Sequence, residues 1–162
     1  MLLSRITKWI ALLAIPCLLI PSEALAQVTK KDVQTIVRTI SFVEGGPGST
    51  ITMDIIGSGP DADTIRAIIG DGLQVGKLYL QVKNGDNGSP VAYISNGSER
   101  LAPALNNRRV ITVSTNLDCA ISGPCVIAVS TVSGVQIHVN SAAAAAANVR
   151  FVAAFRMMIK EH

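Results

Sequence analysis

RRVITVSTNLDCAISGPCVIAVSTVSGVQIHVN, residues 108–140, is the stretch whose reading decides the fold. It holds three β-branched runs, Val110–Ser114, Val126–Ser130 and Val135–Val139. Short runs rich in Val, Ile and Thr, bounded by Gly, Pro, Asn and Ser, read as strands because branched side chains pack well on a pleated surface. Ser133-Gly134 between the last two runs is a hairpin signal, since glycine supplies the backbone angles of a tight turn. Cys119 and Cys125 bracket the loop between the first two runs. The segment predicts a strand, a stapled loop and a hairpin, and its flanks supply what is needed to cover that sheet.

Upstream, Ile51–Ile56 reads as a strand and Gly57-Ser58-Gly59-Pro60-Asp61-Ala62 as the turn into a helix through Ile69, closed by Gly70-Asp71-Gly72. Lys77–Val82 is the next strand, so the unit is a βαβ with two parallel strands. The turn fits the dinucleotide pattern G-x-G-x-x-[GA]. Pro60, however, removes an amide that a phosphate would use, and no acidic residue ends the Lys77–Val82 strand. A tight βα turn is the better reading. Before it, Thr29-Lys30-Lys31-Asp32 resembles a capping box, with Val33, Ile36, Val37, Ile40 and Val43 forming an apolar stripe of helical period. Asp32, Thr35, Arg38 and Thr39 are expected on the opposite side, and Gly45-Gly46-Pro47-Gly48 ends the helix. Phe42 falls off the stripe; it either turns back into the core or stays exposed for a partner.

Asn84–Pro90 reads as a polar loop, Val91–Ser95 as a strand, and Gly97–Leu105 as a short helix that Pro103 ends or kinks. Downstream, Asn140 is placed to cap a helix over Ser141–Ala147, interrupted at Asn148 or Val149. A final helix is expected to set Phe151, Val152, Phe155, Met158 and Ile159 on one face, with Arg150, Arg156 and Lys160 away from it. The predicted class is α/β: a single domain with a mixed sheet of about six strands, helices on both faces, a βαβ start, and a C-terminal hairpin followed by a helix.

Residues 1–26 read as a signal peptide. Arg5 and Lys8 form its basic start, Trp9–Ile20 its apolar core and Ala24-Leu25-Ala26 a small-residue cleavage site, with the cut between Ala26 and Gln27. The apolar run is short and broken by Pro16 and Pro21, which argues against a membrane span, and Cys17 lacks a lipobox. The expected domain is 27–162, in the periplasm. Without Arg5, Lys8 and Glu23 the net charge falls from +3 to +2, its basic residues are scattered and aromatics make up only 4 % of the chain, so no nucleic-acid surface is expected. Cys119 and Cys125 are the two cysteines left after cleavage, and an even count in an exported chain implies a disulfide. A metal centre would need more ligands, and His138 and His162 show no ligand spacing. Asn87-Gly88-Ser89 and Asn96-Gly97-Ser98 match the glycosylation triplet, a pattern that polar loops also produce by chance.

The residues offer no catalytic set: no serine nucleophile elbow, no evident acid–base carboxylate pair, and one mid-strand histidine, His138, without a placed partner. No cofactor is expected.

The order of motifs is similar to that of the YfiR family of small periplasmic proteins. Arg108–Ser114 resembles the family's G-R-P-V-L-T-V-S strand, and Val135–Asn140 its V-x-F-x-x-N strand, whose Asn opens the next helix. Val91–Ser95 with Ser98-Glu99 resembles h-x-x-x-I-S-x-S-E, and Gln74–Lys77 the approach to the second strand. Ser41-Phe42-Val43-Glu44 resembles F-V-E-W-P, with Gly45 in place of the Trp; Met157-Met158 stands where paired leucines close the family pattern. The cysteine pair resembles a short-range disulfide of some members. The resemblance implies a regulator and not an enzyme. Such a protein represses an inner-membrane diguanylate cyclase, or a comparable sensor, by binding its periplasmic domain, which lowers cyclic-di-GMP and biofilm formation. An OmpA-like outer-membrane lipoprotein can sequester it, and it forms a homodimer. Phe42, Glu44, Arg108, Arg109 and Arg156 are the candidates for the partner surface. A second reading is a small-ligand module feeding a transporter or sensor kinase, with the Gly57–Ala62 turn as its site.

Overall fold

The helix that begins at Lys30 is set by its first residues. Thr29 accepts a hydrogen bond from the Asp32 amide, and the Asp32 carboxylate accepts from the Thr29 amide, the reciprocal bonds of a capping box. In the computed structural model, which describes residues 27–83 and 88–162, this is α1 (Lys30–Ile40). The expected signal peptide, the Ala26 side of its cleavage site, and Asn84–Asn87 of the polar loop lie outside the described residues. The elements that follow are β1 (Thr50–Ile56), α2 (Pro60–Ile69), β2 (Leu73–Val75), β3 (Leu78–Val82) and β4 (Val91–Ile94). A 3-10 turn (Glu99–Leu101) then leads into α3 (Ala102–Asn107), β5 (Ile111–Ser114), α4 (Asp118–Ile121), β6 (Ile127–Ser130) and β7 (Gln136–Val139). The chain closes with α5 (Ser141–Ala146), α6 (Ala153–Arg156) and β8 (Lys160–Glu161).

The strands form one sheet in the order β2-β3-β1-β4-β5-β6-β7-β8. β3, β1, β4, β5 and β6 are parallel, β2 and β7 run antiparallel to their inner neighbours, and β8 runs parallel to β7. β1 pairs with β3 on one side and β4 on the other, which makes the gap between β1 and β4 a topological switch point. Alternation along β4 divides the core. Val91 and Tyr93 join the larger cluster with the α1 stripe and with Ile65 and Ile69 of α2, whereas Ala92 and Ile94 meet Ala102, Cys119 and Cys125. Helices therefore cover both faces of an α/β domain.

The cysteine loop is held at several points. Cys119 and Cys125 are disulfide-bonded and buried, and the Cys125 amide donates to the Cys119 carbonyl at 2.8 Å. Asn106 donates to the Pro124 carbonyl at 2.7 Å and Asn140 to the Gly123 carbonyl at 2.9 Å, so α3 and the start of α5 clamp the loop from either side.

Four expectations are corrected. The six anticipated strands are joined by β2 and β8, one at each edge of the sheet. The final helix is replaced by the four residues of α6: the Val152 amide bonds to the Phe42 carbonyl, Phe151 bridges Val43, and the chain turns out to pair with β7. Met158, expected on a buried face, is 61 % exposed. Pro103 stands in the first turn of α3, where its missing amide costs nothing, instead of ending a helix. Asp32 and Thr39, expected on the solvent side of α1, are buried. Asp32 Oδ1 accepts from the Thr131 amide at 2.8 Å, and Thr39 donates to the Thr35 carbonyl, so each enters the interior with a partner.

Candidate functional site

Among the described residues, the switch point and the far edge of the sheet each bring polar groups together. At the switch point, β1 ends at Ile56 and Gly57 carries the chain into α2 with φ 99°. A side chain there would collide with the hydroxyls of Ser95 and Ser98, which lie against the glycine from the end of β4. Behind them Asp61, in the first turn of α2, receives the Tyr93 hydroxyl and the Asn96 amide on Oδ2, each at 2.9 Å. Thr115 and Tyr93 are joined at 2.8 Å; with the phenol proton given to Asp61, Thr115 is the donor in that bond. Tyr93 is fully buried, and its phenol is held well above the ordinary value, first by burial and then by the neighbouring Asp61 charge. The carboxylate of the Gly57–Ala62 turn is thus bonded across to β4 and its loop. The chain Thr115–Tyr93–Asp61–Asn96 ties three adjacent parallel strands, β1, β4 and β5, together.

The second place is the far edge of the sheet. A groove of ≈ 600 Å³ runs between α5 and the segment that follows α1, with Glu44, Arg150, Arg156 and Glu161 on its walls and Val149 and Phe151 among its apolar lining. The elements around it explain its shape. Asn140 caps α5 by accepting from the Ala143 amide at 2.8 Å, and the small side chains of that helix leave room above it. Asn148 takes φ 56° and turns the chain back, and Glu44 is fixed by its amide donating to the Arg150 carbonyl at 2.8 Å. Arg156 donates through Nε and Nη2 to the two oxygens of Glu161, at 3.0 and 3.3 Å, which holds the Glu161 carboxyl below its usual range.

Three of the five partner-surface candidates converge here. Glu44 and Arg156 line the groove, and Phe42 stacks on Phe155 of α6 at 4.5 Å between centroids, half-buried. Arg108 and Arg109 are exposed at the turn between α3 and β5, away from this group, with Arg109 at φ 63°. Arg150 and Glu161 were missed, because nothing local marks residues that meet only through long-range packing. Met157 and Met158 follow Arg156 and are 87 % and 61 % exposed. Because β8 runs parallel to β7 with His138 opposite Lys160, the chain entering β8 comes from the hairpin end, where Val132 and Val135 are also exposed. The β7–β8 corner therefore carries apolar side chains beside a charged groove.

Among the described residues no helix is long and apolar enough to cross a membrane, and no three metal-ligating side chains are grouped. No protein-family model matches the chain, and no curated protein matches it.

Proposed function

We propose that this chain is an exported regulator that works by binding another protein, the periplasmic domain of an inner-membrane diguanylate cyclase or of a comparable sensor. The observation that carries this reading is the β7–β8 corner, with Met157 and Met158 exposed beside the Glu44, Arg150, Arg156 and Glu161 groove. Exposed apolar side chains within a polar rim are the anatomy of a protein interface, and methionine adapts to a partner's contours. The resemblance of the motif order to that of the YfiR family supports this choice of partner. The buried Cys119–Cys125 disulfide suits an oxidising compartment. Deleting the gene should raise cyclic-di-GMP and biofilm, and the intact gene in trans should restore both. Unchanged cyclic-di-GMP in the deletion strain would refute the reading.

A second reading, a small-ligand module, is favoured by the volume of the same groove, which falls within the usual range for ligand pockets. Thermal shift against a panel of periplasmic metabolites separates the two readings, since only the ligand module responds.

A further inference from the structure

We infer that His138 and His162 form an acid-sensitive latch, which holds β8 on the edge of β7 and releases it when both rings are protonated. His138 Nδ1 and His162 Nε2 are 2.7 Å apart, and the rings are parallel within 8° with centroids 5.0 Å apart. The centroid separation exceeds the N···N separation by about two ring radii, so the rings meet edge to edge, nearly in line, and not face to face. Such a contact is an N–H···N hydrogen bond with room for one proton between the nitrogens.

The backbone makes this pair a fastening. β8 is two residues long, continued by the His162 amide donating to the Val139 carbonyl and the Ser141 amide donating to the His162 carbonyl, each at 2.9 Å. So short an edge strand has little cooperative stability of its own, and side-chain bonds to it weigh heavily. Among the described residues the other one is Arg156 to Glu161, which is exposed.

The proton inventory sets the direction. His162 is exposed; once protonated, it still donates Nε2–H to a neutral His138, so one added proton preserves the contact. A second proton, on His138, turns N–H against N–H and places two cations side by side. His138 is 5 % exposed, and its Nε2 makes no hydrogen bond among the described residues. Its charged neighbours are Lys160 on β8 and His162 just after it. β6 presents Ala128 opposite it, and α4, packed on β7, carries one titratable side chain, the exposed Asp118. No facing carboxylate is bonded to His138 to offset its charge. Burial first, then the His162 and Lys160 charges, hold His138 below the ordinary 6.5. The docked state accordingly binds fewer protons than the released state below 6.5, and its stability falls as the pH drops through that interval, by at most about tenfold per pH unit for one group. Release would remove the Glu161 wall of the groove and bare the edge of β7.

Amide hydrogen exchange on the intact protein, expressed as protection factors to remove the intrinsic pH effect, tests this. Protection of the His162 and Ser141 amides should fall at least about fivefold over one to two pH units below 6.5, while the amides of β4 and β5 keep theirs. In His138→Gln that dependence should disappear. Constant protection in the wild type, or an undiminished pH dependence in His138→Gln, would overturn the latch. The ring proton shifts of His138 in the wild type give an independent readout should the variant not fold: a titration below 6.5 is expected, and one at or above it refutes the latch.

Discussion

Replacing Tyr93 by Phe removes one oxygen from the middle of the Thr115–Tyr93–Asp61–Asn96 chain and leaves the ring in place. The hydroxyl donates to Asp61 Oδ2 at 2.9 Å and lies 2.8 Å from the Thr115 hydroxyl, and Tyr93 is completely buried. Asp61 Oδ1 has no partner among the described residues, so in Tyr93→Phe the carboxylate would depend on the Asn96 amide alone. A hydrogen bond to a charged group contributes about 1.5–3 kcal/mol, and the Thr115 hydroxyl also loses its partner, so a loss of about 2–3 kcal/mol is expected. With a urea dependence of about 1–3 kcal/mol per molar for a domain of this size, the midpoint should move down by roughly 1 M. Tyr79→Phe is the internal control. Its hydroxyl donates to the Asp71 carbonyl at 3.1 Å from a residue 36 % exposed, and the cost there should be near 0.5 kcal/mol, at the low end for a neutral bond. Equal midpoint shifts for the two variants would refute the view that the switch point is locked by a buried polar chain.

Reducing the Cys119–Cys125 bond reopens a ring of seven residues, for which the loop-entropy estimate is about 2.4 kcal/mol; urea unfolding with and without reductant should show a loss of about that size or less, with the fold retained. Gly57→Ala should cost about 3 kcal/mol or more, because the new methyl meets the Ser95 and Ser98 hydroxyls and φ is 99°, and a midpoint within 0.5 M of wild type would contradict that geometry. Met157→Ser with Met158→Ser should leave thermal stability within about 1 kcal/mol, since both side chains are exposed, while cyclic-di-GMP rises toward the level of the deletion strain.

Local signals were legible where one short segment carried them. Thr29 and Asp32 announced α1, short apolar runs bounded by turn residues announced six strands, and Asn140 announced α5, because caps and such runs are written within a few residues. The edges were not legible. β2 is three residues between Gly72 and Gly76, too short to show a period, and β8 exists because β7 offered an unpaired edge to the returning chain. The same cause undid the final helix: Phe151, Phe155 and Ile159 have helical spacing, but backbone bonds to Phe42 and β7 fix the path of the chain around them. Asp32 turns inward to a partner, the Thr131 amide, that stands 99 residues away and leaves no local signal. For the groove, Glu44 and Arg156 could be named from the sequence. Their convergence with Arg150 and Glu161 could not, since it depends on the turn at Asn148 and on β8.

A photo-crosslinking amino acid placed at Met157 in growing cells, with the same residue at Gln74 on the opposite edge as control, tests the central claim most directly. The expected result is one discrete adduct from position 157, identified by mass spectrometry as an inner-membrane protein bearing a diguanylate cyclase domain, and none from position 74. Adducts of equal yield from both positions, or no adduct from 157 in a strain whose cyclic-di-GMP the protein controls, would contradict it.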